Sequence, residues 1–420
     1  MLNTHSYQLS IRIISCDISL SFCRSDVHTI CGHYLWAGTW VAQADYALEH
    51  MVYDINYKSA KLCKMAAMEV EKATGRRRFC AGAIGPTNRT LSISPKVENA
   101  AFRNITFMEL VGAYKDQVRG LVDGGCDMLF VETIFDTLNA KAALFAIDVF
   151  FEEYEVKMPV VISGTIVDMS GRTLSGQTTE AFWISVSHAN PLCVGLNCAL
   201  GPDQMRPFMT RLANCATCYT HAYPNAGLPN AMGGYDMGPK DMAPHLRSWA
   251  QDGLVNLVGG CCGTTPDHIK AIADAVADVK PARKIPDQPE YMRLSGLEPM
   301  IFTPEVRFAN IGERCNVAGS IRFKKMVVAN DWGKAAEVAQ NQVYTLSSAR
   351  SFMSVCIYIY LSYIYIYIYI SRNSCTVMYV SPRMCIEYIS RTVSDASCWC
   401  GWCCMRLCCS DRVYKYSKDV

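Results

Sequence analysis

The chain has 420 residues, half of them apolar and 19% charged, enough for two or three domains with sizeable cores. Its formal net charge of +2 gives no pull toward nucleic acid or an anionic membrane. Of the 22 cysteines, nine lie after residue 350; the thirteen before it lack the regular spacing of a secreted disulfide scaffold, so the main body reads as cytoplasmic with reduced thiols.

Residues 1–35 carry no clear pattern and are left unassigned. Their apolar stretch is broken by Asp17 and no small-residue cleavage site follows, which argues against a signal peptide. From about Ala42 to Ala277 helical periodicity alternates with short apolar runs. Helices are predicted at 43–73, 107–123, 138–153, 179–188, 202–213, 240–251 and 266–277. Strands are predicted at 78–85, 127–134, 159–166, 192–199, 217–225 and 253–260. Such alternation implies a parallel sheet with helical crossovers. Six units in a row predict an α/β fold of the (β/α)8 TIM-barrel type over residues 36–281, N-terminally incomplete because its first strands are missing. The alternative is an open doubly wound sheet. The barrel is favoured because Gly85–Pro86, Glu132, Thr165, Asn197–Cys198, Asn225 and the pair Cys261–Cys262 all fall at C-terminal strand ends, the face where barrel enzymes keep their sites.

Residues 282–307 are rich in proline and weak in periodicity, and read as a linker. FANIGERCNVAGS (308–320) resembles a strand entering a loop, and a helix is predicted at 322–346. Together, 308–346 would open a second α/β barrel, cut short. Residues 347–420 change character. Met353–Ile370 holds 18 residues without a charge, the lower limit for a membrane span. Alternating Ile and Tyr has no polar face, is not expected to form an amphipathic strand, and is what a TA dinucleotide repeat encodes. With its Cys-rich remainder, the tail reads as non-native sequence rather than a membrane anchor.

Cys198 in GLNCA and Cys261–Cys262 in VGGCCGTTP carry the chemistry. Three thiolates around one zinc leave the fourth tetrahedral position open, the mark of a catalytic metal. The bland alternative is that they are small buried apolar side chains. Adjacent cysteines reach one metal only where the backbone turns sharply, and Gly259, Gly260 and Gly263 permit that. His188, His221, His245 and His268 have no ligand spacing to the cysteines and read as structural.

VETIFDTLNAKAALFA, SGTIVDMSGRTLSGQTTEAF, GLNCALGPDQMRPF, YPNAGLPN and GLVNLVGGCCGTTPDHI together resemble the homocysteine-binding barrel of the cobalamin-dependent methionine synthases, from about Trp36 to Pro281. LSGLEP and NIGERCNVAGS extend the resemblance into the start of that family's pterin-binding barrel. The resemblance implies a homocysteine S-methyltransferase of methionine biosynthesis, with Zn²⁺ on Cys198, Cys261 and Cys262. Homocysteine would be deprotonated on the metal and methylated from methylcobalamin, with 5-methyltetrahydrofolate as the further methyl source. The D-x-H-x-x-G motif of the family's cobalamin module is not found. Alternatives are a stand-alone enzyme using betaine or S-methylmethionine, and an inactive zinc-binding fragment.

Within that reading, Glu132 accepts the substrate ammonium, with Asp136 as a second candidate, unless Glu132 simply complements a helix N-terminus. Backbone amides near Gly85 or Thr165 are candidates for the carboxylate. Asn225 either fills the open zinc position when substrate is absent or caps a turn. Asn310, Glu313, Arg314 and Asn316 match the family's pterin motif, although Glu313 and Arg314 could equally pair with each other. The only partner expected is the small molecule homocysteine, with no nucleic acid and no membrane.

Overall fold

The computed structural model describes residues 38–96, 102–167, 169–280, 283–306 and 320–338 with their side chains, and the backbone of strands at 12–15, 29–32, 355–361, 364–371 and 374–380. Residues 1–95 with 103–288 form one compact unit, and residues 96–102 with 289–420 a second.

The first unit is a closed ring of eight parallel strands. They are β1 (Arg12–Ser15), β2 (Thr29–Gly32), β3 (Phe79–Ile84), β4 (Met128–Ile134), β5 (Val160–Gly164), β6 (Cys193–Asn197), β7 (Tyr219–Tyr223) and β8 (Leu257–Gly260). The helices are α1 (Trp40–Gln43), α2 (Val52–Thr74), α3 (Phe107–Asp123), α4 (Thr137–Tyr154), α5 (Thr179–Val186), α6 (Pro202–Cys215), α7 (Pro239–Gln251) and α8 (Pro266–Val276). The expected α/β barrel is the fold observed, and one part of the expectation is corrected. The first two strands are present within the unassigned segment. Ile13 pairs with Val258, Ile14 with Ile30, and Cys31 with Cys80, so β1 and β2 close the gap between β8 and β3.

Local chemistry sets the other elements. All seven residues of β4 are buried, as parallel strands covered on both faces require. Thr106 and Glu109 form a capping box at the start of α3. Prolines open α6, α7 and α8, where a missing N–H costs nothing. The predicted helix at 43–73 is interrupted: 44–51 hold two short 3-10 turns, with Ala47 at φ +56°. Ala81, Met128, Phe130, Val161, Cys193, Tyr223, Leu257 and Cys261 pack together as a buried cluster fed by six strands. Among them His221 stacks on Tyr223 and meets the edge of Phe130.

In the second unit, β9 (Arg293–Ser295) and β10 (Pro299–Ile301) form an antiparallel pair inside the expected linker, closed by a turn through Gly296. Helix α9 spans Ile321–Val328, with Ser320 as its cap. The Ile/Tyr run, whose pattern is not that of an amphipathic strand, lies within strands β11 (Val355–Leu361), β12 (Ile364–Ser371) and β13 (Ser374–Val380), paired antiparallel. β-Branched and aromatic residues favour extended backbone, whatever the polarity pattern. Among the described residues no helix is long and apolar enough to cross a membrane. Residues 307–319 lie outside the described residues, and with them Asn310, Glu313, Arg314 and Asn316.

Candidate metal centre at the barrel mouth

The backbone turns hard where β6 ends. Cys198 has φ +61° and Ala199 φ +58°, both in the left-handed region that L-residues avoid. The turn is held by Cys198 N–H on the Tyr223 carbonyl at 3.4 Å and Leu200 N–H on the Cys198 carbonyl at 2.7 Å. After β8 the chain turns again. A Cβ on Gly260 would stand 2.1 Å from Thr264 Cγ2, so only glycine fits there, and Gly263 has φ +79°. Cys261 N–H donates to the Pro224 carbonyl at 2.8 Å, and Cys262 N–H to Asn225 Oδ1 at 3.1 Å.

These two turns bring three sulfurs together. Cys198 Sγ lies 3.6 Å from Cys262 Sγ, and Cys261 Sγ lies 4.0 Å from Cys262 Sγ. All three lie within 4.8 Å of one another, and they are the one such group of three or more metal-ligating side chains among the described residues. A tetrahedral zinc with sulfur bonds of about 2.3 Å spaces its ligands by about 3.8 Å. The observed separations bracket that value, so the trio fits a zinc ion. Cys261 is buried, while Cys198 and Cys262 are half-buried and pack against the core cluster.

The thiols titrate as a group. Hydrogen bonds from Cys198 and Cys261 hold the Cys262 thiol well below its usual range, while Cys198, as the donor, is pushed up. The Tyr235 hydroxyl also donates to Cys262; burial first, and the negative sulfur second, push that phenol up to about 12. A thiol held low in this way suits a cation site.

Glu132 stands at the end of β4, 4% exposed, and its Oε2 accepts the Tyr223 hydroxyl at 3.0 Å. Burial pushes its carboxyl up to about 7, the Tyr223 hydrogen bond opposes this, and Cys262 adds to it. Asp136 is committed elsewhere. Its oxygens accept Leu138 and Asn139 N–H at the start of α4, and Leu91 N–H, Ser92 N–H and Ser92 Oγ from the loop after β3. It is a cap and a loop staple, five hydrogen bonds deep. Thr165 donates its N–H to the Ile134 carbonyl at 2.8 Å and its hydroxyl to the Asn197 carbonyl at 3.0 Å, so its amide is already used. The Gly85 carbonyl accepts the buried Tyr114 hydroxyl at 3.2 Å. Asn225 supports the cysteine turn through its side-chain oxygen.

The histidines lie apart from the sulfurs. His221 Nδ1 is 3.3 Å from Cys193 Sγ inside the barrel, His245 pairs with Asp203, and His268 bridges Thr265 and the Met237 carbonyl. His188 lies in the 3-10 turn that follows α5. Sequence reasoning missed Tyr223, Tyr235 and the side chain of Thr133, and it placed Asn197 at a strand end without giving its side chain a role. Only the position of Asn197, directly before a ligand-type cysteine, carried a signal.

A sequence model of the family described as homocysteine S-methyltransferase matches residues 2–276. The chain belongs to the homocysteine S-methyltransferase family. Homocysteine is accordingly its methyl acceptor at the level the family defines. The match reaches back to residue 2, which corrects the expectation that family resemblance starts near Trp36. Among solved structures, the oxidised form of the homocysteine methyltransferase MmuM from Escherichia coli aligns with a TM-score of 0.50 at 16% identity, over 64% of this chain and 96% of that one. The metallated form of the same protein aligns at 0.49 and 17% identity, over the same shares. At 16% identity the first of these likenesses speaks for the fold alone.

Proposed function

We propose that this chain activates homocysteine on a zinc ion held by Cys198, Cys261 and Cys262, and that the methyl group comes from methylcobalamin to give methionine. The carrying observation is the sulfur spacing of 3.6 and 4.0 Å at the ends of β6 and β8. When bound, zinc supplies the positive charge that makes the thiol of a fourth ligand give up its proton near neutral pH. The chain does the rest. Glu132, at the rim of the same mouth, receives the substrate ammonium, and that positive charge returns the buried carboxyl to its ionised form. The Tyr223 hydroxyl holds Glu132 in place. The substrate sulfur then forms its bond to the methyl carbon, while the donor keeps the electron pair of the bond that breaks.

Two features support cobalamin over a small donor. The phrases LSGLEP and NIGERCNVAGS follow the barrel. Val167, Met169 and Leu174 after β5, and Leu228 and Met232 after β7, are exposed apolar residues at the end of the barrel that bears the sulfurs, a rim suited to a broad apolar-faced donor. The pterin role of Asn310, Glu313, Arg314 and Asn316, with 5-methyltetrahydrofolate as methyl source, stands as part of the same proposal.

The purified full chain should carry one zinc, and Cys261→Ala should lose it. Methyl transfer to homocysteine is then assayed with free methylcobalamin, betaine and S-methylmethionine. Activity with methylcobalamin alone supports the proposal. Activity with either small donor replaces it by a stand-alone enzyme, and zinc without activity marks an inactive zinc-binding fragment.

A further inference from the structure

Asn197, the last residue of β6, is fully buried. Its side-chain oxygen accepts Ser163 Oγ at 2.7 Å and Thr133 N–H at 3.1 Å. Its Nδ2 donates to Thr133 Oγ1 at 2.8 Å and stands 3.8 Å from Cys261 Sγ, within reach of a long N–H···S bond. The two ends of a carboxamide are easily confused, but here the neighbours decide. A backbone N–H can only donate, so the atom facing Thr133 N must be the oxygen. The nitrogen therefore faces the sulfur.

Thr133 has φ +55°, a left-handed conformation that strains a β-branched residue. Both its N–H and its hydroxyl engage the Asn197 amide. The strain thus sits where the amide is gripped. Thr133 comes from β4, Ser163 from β5, Asn197 from β6, and the sulfur follows β8. The grip ties three adjacent strands to a ligand on a fourth.

We propose that Asn197 is the positioning residue of this thiol centre, its amide donating to the Cys261 sulfur to fix it in place and to draw charge from it. The inference rests on the reading of these cysteines as zinc ligands. Outer-shell donors of this kind orient ligands and tune their basicity. The consequence is selectivity among sulfurs. Any thiolate at the centre could take the methyl group, forming its own S–CH3 bond as the donor bond breaks with its electron pair left on the donor. A sulfur that accepts a hydrogen bond is the poorer nucleophile. Cys261 is thereby kept as a ligand, and the substrate sulfur remains the reactive one.

The test uses the full chain, 15N-labelled and loaded with 113Cd in place of zinc. A 113Cd resonance coupled to the β-protons of Cys198, Cys261 and Cys262 establishes the thiolate site. Its absence overturns the zinc reading and this proposal together. With that resonance present, coupling through the hydrogen bond from 113Cd to one side-chain N–H of Asn197 is expected, and a site without it overturns the proposal alone. Asn197→Asp keeps an oxygen for Ser163 and Thr133 but removes the donor. Its zinc Kd should weaken about 10- to 100-fold. In the zinc-loaded protein, iodoacetamide should modify Cys261 faster relative to Cys198 and Cys262, as mapped by mass spectrometry. Equal acceleration at all three sulfurs indicates a merely structural role and overturns the proposal.

Discussion

In the proposed function, Glu132 is the residue whose ionisation would link folding to substrate. In the folded chain its carboxyl is raised to about 7 by burial. A raised folded pKa means that the folded state holds the proton more tightly than the unfolded chain. Stability is then fully present below the unfolded value near 4.5 and is lost as pH rises through 7. Keeping this carboxylate buried and ionised costs roughly 3 kcal/mol. Glu132→Gln should remove that pH dependence. In thermal melts of the metal-stripped protein, the variant should melt higher than wild type at pH 8 and much the same at pH 5. The same change should weaken homocysteine binding by roughly tenfold or more, since a hydrogen bond to a charged group contributes about 1.5–3 kcal/mol. A variant with unchanged homocysteine affinity would show that the ammonium binds elsewhere. Asp136 makes the contrast. Its five hydrogen bonds are internal, so Asp136→Ala should lower stability by about 2–4 kcal/mol in denaturant titrations and leave zinc stoichiometry at wild type. Loss of metal in that variant, with the fold intact, would place it in the site after all.

At the scale of single elements, the turn after β8 is the part of the site most sensitive to volume. Gly260→Ala puts a carbon 2.1 Å from Thr264 Cγ2, and Thr264 is itself fixed by its hydroxyl on the Cys261 carbonyl. The turn must move, and Cys261 and Cys262 move with it. The expected result is a zinc Kd weakened at least tenfold, while far-ultraviolet circular dichroism keeps the barrel signature. An unchanged Kd would show that the turn has slack the packing does not reveal. This turn was legible from the sequence, because glycines flank an adjacent cysteine pair and little else explains them. The strands β3 to β8 were legible for a related reason: each is an apolar run between turn residues. β1 and β2 were not. RIIS and TICG are four residues each, too short for any periodicity to show, and they are strands only because β8 and β3 offer them edges. The grip on Asn197 was hidden for the same reason. It depends on the register between β4, β5 and β6, which no local pattern records. The Asp136 carboxylate misled by its position, since a strand-end acid looks alike whether it faces a ligand or a loop.

At the scale of the whole molecule, the closed ring changes what a truncation should do. From the sequence, residues 36–281 read as the metal-binding body and residues 1–35 are left unassigned. In the structure, β1 pairs on one side with β8 through Ile13–Val258 and on the other with β2, which pairs with β3. Removing residues 1–35 therefore leaves the facing edges of β8 and β3 unpaired and the buried cluster open on one side. Exposed parallel edges invite pairing with other chains. Cys261 and Cys262 directly follow β8, so the damage would reach the proposed metal site itself. The chain lacking residues 1–35 should aggregate, lose a cooperative thermal transition and bind zinc substoichiometrically. Deletion of residues 347–420 removes strands of the second unit alone. That protein should keep one zinc and a cooperative melt. Size-exclusion chromatography with metal analysis of both truncations separates the two cases. A 36–420 protein that is monomeric, melts cooperatively and binds one zinc would mean that six strands suffice and that β1 and β2 add nothing to the barrel.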